Sequence, residues 1–315
     1  MSLPGFALPA LVGLLVVAIA TAAAVLGHFA YVAWVRRRFP PAPARVAWNG
    51  GALRVERRGN GSPVILVHGM NGTAYDFPAE LLEDLARDHA LWAPGRPGHG
   101  GSTRGPGALD LAANAAAVRA VLEAAGDERA VLVGHSYGAA VVLRAALDAP
   151  QRVAGIVLIT PCTVVDARNR GYAELPVPPG FARRLALWAG TVPVGLWVSR
   201  RTRREAWHPA PAPGGFTYSR AWALSPAQLE AALENFHTLA GDLAALAAEL
   251  PHLAVPVTVL AGADDVVTPW RAHTEWLPRV LPAATLMVLD GAGHWLVRQH
   301  PERVAAAVRA LRERA

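Results

Sequence analysis

Five residues, Gly134-His135-Ser136-Tyr137-Gly138, constrain this chain more than any other stretch. They follow the apolar run Ala130-Val131-Leu132-Val133 and precede residues 139–147, a segment apolar enough to form a packed helix. A serine between a strand and a helix, with glycine two positions away on each side, fits a turn too tight for a Cβ at the flanking positions. Such a turn holds the hydroxyl in the open. It also leaves the Tyr137 N–H free beside it, because the first N–H groups of a helix have no partner within the helix. Ser136 is the candidate nucleophile.

The rest of the chain has the pattern that such a turn needs. Residues 63–67, 90–93, 153–159, 256–261 and 284–289 are short apolar runs of strand length. Continuous runs of this kind suit strands buried on both faces. Segments 74–89, 109–125, 269–281 and 301–314 read as helices between and after them. The alternation predicts an α/β fold with a mostly parallel, doubly wound sheet. Two shorter runs, 45–48 and 52–57, flank Asn49-Gly50-Gly51 and predict a leading hairpin.

Between residues 166 and 250 the alternation stops. This stretch holds Pro176, Pro178, Pro179, Pro193, Pro209, Pro211 and Pro213, with Trp188, Trp197, Trp207, Trp222 and helical patches. It reads as an inserted helical lid over the strand ends, where α/β sheets bind ligands. Arg183, Arg184, Arg200, Arg201, Arg203 and Arg204 make it basic. Those arginines are either a solvated rim or a contact for anionic lipid head groups.

At the other end, no charged side chain occurs from Phe6 to Val35. About 20 apolar residues cross a bilayer core, so residues 1–38 are expected to form a single transmembrane anchor. Tyr31 and Trp34 stand where interfacial anchors do. A cleaved signal peptide is the rival reading, but the stretch lacks a basic leader and is long for one. Arg36, Arg37, Arg38 and Arg45 follow the span, so the positive-inside rule places the body on the cytoplasmic face. Residues 39–44, with Pro40-Pro41-Ala42-Pro43, form a stiff linker, and 45–315 the globular body.

Composition removes several chemistries. The 30 basic residues among 315 are all arginine, so no lysine Schiff base and no P-loop lysine is possible. The one cysteine, Cys162, allows no intrachain disulfide and reads as a small core residue. The net charge of +6 accompanies no recognisable nucleic-acid module, and no nucleic-acid partner is expected. The histidines show no H-E-x-x-H spacing, so neither a metal nor another cofactor is expected. Gly95-Arg96-Pro97-Gly98-His99-Gly100 is interrupted by proline and opens no helix, so it reads as a structural turn with His99 near the site.

Together, His68-Gly69, Arg96-Pro97-Gly98-His99-Gly100, the serine pentapeptide, Gly262-Ala263-Asp264-Asp265 and Gly291-Ala292-Gly293-His294 resemble the α/β-hydrolase superfamily from about residue 45 onward. The order Ser…Asp…His is that of this fold. A serine needs a base, and His294, at a strand end between glycines, is the candidate. The acid is a carboxylate after the penultimate strand. The resemblance implies Asp265, three residues past Gly262, with Asp264 as a neighbour and Asp166 as a remote alternative. It also implies Met70 as the second oxyanion N–H beside Tyr137. His68, His135 and Trp295, next to these groups, are the expected substrate contacts. Gly95 departs from the family, which often carries aspartate there.

The expected function is hydrolysis of a small hydrophobic ester or acyl compound through an acyl-enzyme. C–C bond hydrolysis, perhydrolysis and acyl transfer use the same machinery and stay open. A serine at the elbow argues against the dehalogenase and epoxide hydrolase branches, which use aspartate. A membrane-tethered binding protein without chemistry is the alternative of a different class.

Overall fold

The computed structural model describes residues 7–126, 128–166, 170, 180–214 and 218–313. Among these, eight strands form one sheet in the order β1-β2-β4-β3-β5-β6-β7-β8. They are β1 (Ala44–Trp48), β2 (Gly51–Arg58), β3 (Ser62–Val67), β4 (His89–Pro94), β5 (Ala130–His135), β6 (Val153–Ile159), β7 (Val257–Gly262) and β8 (Ala284–Leu289). The first two form the expected hairpin, and β2 pairs antiparallel with β4. Every other pairing is parallel. β5 and β6 are buried along their whole length, which is why their sequences show no polar alternation.

Helices cover both faces. On one, α3 (Leu111–Ala124) and α4 (Tyr137–Asp148) pack over Ile65, Val67, Leu132 and Leu158. On the other, α2 (Ala79–Leu85) and the C-terminal helix (Pro301–Glu313) pack over Val64, Leu66, Val131 and Val157. Alternate residues of one strand thus feed two separate cores.

Two expected helices are broken. The segment 74–89 is a 3₁₀ turn, Ala74–Asp76, followed by α2, because Pro78 holds Phe77 extended. The segment 269–281 is two single-turn helices, Trp270–His273 and Leu277–Val280. The Thr274 hydroxyl donates to the Trp270 carbonyl (2.7 Å) where the first ends, and Pro278 starts the second.

Between β6 and β7 lie α5 (Gly180–Trp207), α6 (Tyr218–Ala223) and α7 (Pro226–Glu249). Pro176, Pro178 and Pro179, and the side chains of Arg183, Arg184 and Trp197, lie outside the described residues. The N-terminal helix α1 (Ala7–Arg38) is the one described helix long and apolar enough to cross a membrane. Residues 9–20 are exposed, whereas its last turns pack on the insertion. There Val35 is buried with Ala221 and Trp222, and the Tyr31 hydroxyl donates to the Ala221 carbonyl (2.8 Å).

Candidate active site

β5 delivers Ser136 to the carboxyl edge of the sheet. The strand ends at His135 and α4 starts at Tyr137, so Ser136 alone makes the turn, at φ 54°. A non-glycine residue there costs of order 1–3 kcal/mol and persists only where its surroundings impose it. The close packing around the turn imposes it, and the flanking glycines permit that packing. A Cβ at Gly134 would lie 2.5 Å from the Gly138 carbonyl oxygen, and one at Gly138 would strike the Val67 carbonyl. Hydrogen bonds from Ser136 N to Ile159 O (2.9 Å) and from Cys162 N to Ser136 O (3.1 Å) pin the turn to the end of β6.

The loop after β8 brings in His294. Its carbonyl accepts from Thr160 Oγ1 and His135 Nε2, both at 3.0 Å, which ties the loop to β6 and to the elbow. Its Nδ1 donates to Asp265 Oδ2 (2.9 Å), on the loop after β7. A carboxylate can only accept, so Nδ1 carries a proton, and in the neutral imidazole Nε2 is then an acceptor.

Asp265 is held from every side. Its Oδ1 accepts from Val267 N (2.7 Å) and Thr268 N (2.9 Å), and its Oδ2 accepts from the Thr268 hydroxyl (2.8 Å). Burial pushes the Asp265 carboxyl up, but the His294 imidazole and the hydrogen bonds from His294 and Thr268 outweigh it and hold the group below its ordinary value. The His294 side chain keeps 9 % exposure and the Asp265 side chain 1 %, so the pair opens at its histidine end. Asp264 instead accepts from Gly291 N (3.0 Å), and Asp166 pairs with His273 Nε2 (3.3 Å) and not with His294.

The loop after β3 passes against Ser136: a Cβ at Gly69 would lie 3.0 Å from Ser136 Cβ. The Gly69 carbonyl accepts from His68 Nδ1 (2.9 Å), Arg96 Nη2 (3.0 Å) and Gly72 N (3.2 Å). In a planar trans peptide the next N–H points opposite to the carbonyl, so Met70 N–H is turned away from all three donors. Among the described residues neither Met70 N–H nor Tyr137 N–H has a partner.

The expected substrate contacts fare differently. His68 is fully buried, with Nδ1 donating to Gly69 O and Nε2 accepting from Arg96 N (3.0 Å). No ring nitrogen is left for a substrate, and its role is to brace the loop. His135 is also a brace, its ring lying 5.0 Å from His294 and stacked at 5.3 Å on Trp295. Burial, then the neighbouring His294, pushes its pKa down to about 3, so it is neutral. Trp295 is half-buried, and its backbone N–H donates to Ala206 O (2.9 Å) at the end of α5. His99 is fully buried, its Nδ1 donating to Pro97 O (2.9 Å).

Sequence reasoning missed Thr268, Asn235 and Gln228. Thr268 had a signal, as a threonine three residues after an aspartate often closes a local turn. Gln228 and Asn235 lie seven residues apart on the apolar helix α7, both buried. Buried amides on one face of such a helix mark a polar contact.

These features define a class, and comparison with known proteins agrees: residues 62–301 match the alpha/beta hydrolase fold, and the chain belongs to that family. It is 30% identical over 273 residues to the pimeloyl-[acyl-carrier protein] methyl ester esterase of Nitrosomonas europaea, covering 82% of this chain and 99% of that one. It is also 30% identical over 264 residues to the dihydrolipoyllysine-residue acetyltransferase component of the acetoin cleaving system of Cupriavidus necator. That match covers 78% of this chain but only 62% of the relative. A thermophilic esterase from Thermogutta terrifontis has a similar structure, with TM-score 0.66 and 25% identity over 86% of this chain and 99% of that chain. The chain is an alpha/beta-fold hydrolase.

Proposed function

We propose that the protein is a membrane-tethered serine hydrolase of hydrophobic esters or related acyl compounds. Ser136 Oγ attacks the carbonyl carbon while its proton passes to His294 Nε2. The tetrahedral oxygen, now negative, receives Met70 N–H and Tyr137 N–H. Collapse expels the alcohol, which takes the proton from His294. A water, deprotonated by His294, then attacks the acyl-enzyme, releases the acid and restores Ser136. Asp265 holds the tautomer and stabilises the imidazolium throughout.

The observation that carries this reading is the Asp265–His294 hydrogen bond between the loops after β7 and β8, tied to a strained serine elbow. The esterase similarity of the relatives supports it. The inserted helices, with Trp188, Trp207 and Trp222, act as a lid over an apolar acyl or aromatic group. Helix α1 anchors the domain in a membrane, and the exposed Arg36, Arg37 and Arg38 favour the cytoplasmic face.

A fluorophosphonate probe and an ester chain-length panel test the chemistry. The wild type should label, Ser136→Ala should not, and cleavage should favour longer acyl chains. A folded wild type that never labels would sink the reading. Labelling without cleavage of any ester moves the reaction to the C–C, perhydrolase or acyltransferase branches. A C-terminal alkaline phosphatase fusion should be inactive; an active one reverses the topology.

A further inference from the structure

Arg96, in the turn after β4, is 2 % exposed and has no ion-pair partner among the described residues. A buried guanidinium without a carboxylate is costly, and such a group survives only where its donors are satisfied. Burial pushes its pKa down to about 10, so it remains charged at neutral pH.

Four of its five N–H donors are engaged. Nη1 donates to Asn114 Oδ1 of α3 (2.8 Å) and to Asn235 Oδ1 of α7 (2.7 Å). Nη2 donates to the Gly69 carbonyl (3.0 Å) and faces His99 Nε2 (3.5 Å). The guanidinium carbon also lies 4.9 Å from the Tyr137 ring centroid. One cation therefore touches both segments that present an oxyanion donor: the peptide leading to Met70, and Tyr137 itself.

We infer that Arg96 is a positioning residue for the oxyanion site. Its guanidinium fixes the Gly69–Met70 peptide so that Met70 N–H faces the developing charge, and Asn235 makes that grip depend on the inserted helix α7. The inference rests on the serine-hydrolase reading. His68 Nδ1 and Gly72 N share the carbonyl, but Arg96 alone brings a full charge, and charge-assisted bonds are the stronger. It governs His68 as well, through its own backbone N–H. The same helix holds the loop a second time. Gln228 Nε2 donates to Asn71 O (3.0 Å) and Gly72 O (3.1 Å), while its Oε1 accepts from Gly100 N (2.9 Å). The insertion is thus bolted to the oxyanion loop. A lid that shifted α7 would misalign the donor.

The test uses the full chain in detergent, with Arg96→Met, Arg96→Lys and Asn235→Ala. Active sites are counted by end-point fluorophosphonate labelling, so misfolded molecules drop out. Losing a donor outright lowers kcat by about 10²–10³, and a displaced donor should lose less, about 10- to 100-fold per labelled site in Arg96→Met. KM should stay within about twofold. The inhibition constant of a boronic acid that forms a tetrahedral serine adduct should rise in parallel with the loss in kcat. Arg96→Lys should fall between wild type and Arg96→Met, and Asn235→Ala should lose several-fold. If Arg96→Met does not fold, the other two decide by the same criterion. Unchanged kcat per site in folded variants of a wild type that labels overturns this inference alone. If the wild type never labels, the hydrolase reading fails and the inference falls with it.

Discussion

Replacing Asp265 by asparagine separates chemistry from stability, because the surroundings dictate how the amide must sit. Two backbone N–H groups, from Val267 and Thr268, point at Oδ1 at 2.7 and 2.9 Å. Only the amide oxygen of the asparagine can occupy that position. Its NH₂ must then take the place of Oδ2, facing His294 Nδ1 and the Thr268 hydroxyl. One N–H donates to Nδ1 and the other to Thr268 Oγ1, whose own proton turns to the Thr160 carbonyl at 3.1 Å. Every buried polar group keeps a partner. The imidazole, however, is forced to carry its proton on Nε2, where it cannot accept one from Ser136.

In a Ser-His-Asp triad, the wrong tautomer lowers kcat by about 10⁴, or about 5.4 kcal/mol of transition-state stabilisation. The melting temperature of Asp265→Asn should hardly move. Asp265→Ala should lose activity and stability together, since each buried donor left without an acceptor costs about 1–3 kcal/mol. The assay is steady-state hydrolysis of a chromogenic ester beside thermal unfolding of the same samples. An Asp265→Asn variant retaining more than a tenth of wild-type kcat would refute the tautomer argument. Equal melting temperatures for the Asn and Ala variants would refute the hydrogen-bond accounting.

Two further outcomes follow from the same groups. His68, His99 and His135 are buried, and burial pushes each pKa down, so they stay neutral in the folded state while the unfolded chain takes up protons near pH 6.5. Stability is therefore complete above about pH 6.5 and falls below it, by about 4 kcal/mol for the three between pH 7.5 and 5.5; urea unfolding at the two values checks this, and no change contradicts it. Gly138→Ala places a methyl group against the Val67 and His68 carbonyls, which are backbone and cannot swing aside. It should cost at least about 1–3 kcal/mol and spread β3 from α4, seen as a lower melting temperature with reduced Ser136 labelling.

How much of this was legible in sequence depended on how far apart the interacting residues lie. The serine elbow is local: a run, two glycines and a helix state it completely. The strand positions followed from apolar runs that suit a sheet covered on both faces, whereas their order in the sheet joins residues far apart in the chain. The helix break at Pro78 was also local, and an unbroken helix over 74–89 overrode the proline rule. Arg96 is a different case. Its partner Asn235 is 139 residues away, and nothing around either residue announces the other. For the acid, the family resemblance implied Asp265, with Asp264 beside it and Asp166 as a remote alternative. The hydrogen bonds join Asp265 to His294 and Asp264 to Gly291.

Helix α1 has two environments, and they predict where the chain can be cut. Residues 9–20 present exposed Leu11, Val12, Leu14, Leu15, Val16, Val17 and Ile19, a surface that water does not suit and that the rest of the protein leaves uncovered. From His28 onward the helix belongs to the globular body. His28 and Val35 are buried, the Tyr31 hydroxyl bonds to Ala221, and Trp222 Nε1 donates to the Phe39 carbonyl (3.0 Å). α6 thus sits between α1 and the loop after β3, since Asn71 Nδ2 donates to Ala223 O (3.3 Å) on its far side. Burying Val35 and making the two hydrogen bonds are together worth roughly 3–6 kcal/mol. A chain starting at Gly27 should therefore be soluble with unchanged kcat and melting temperature. A chain starting at Pro40 should melt lower and lose kcat, because α6 loses its support and the loop bearing Met70 loses a neighbour. Identical behaviour of the two truncations would show that the whole of α1 is a tether and no part of it a structural element of the catalytic domain.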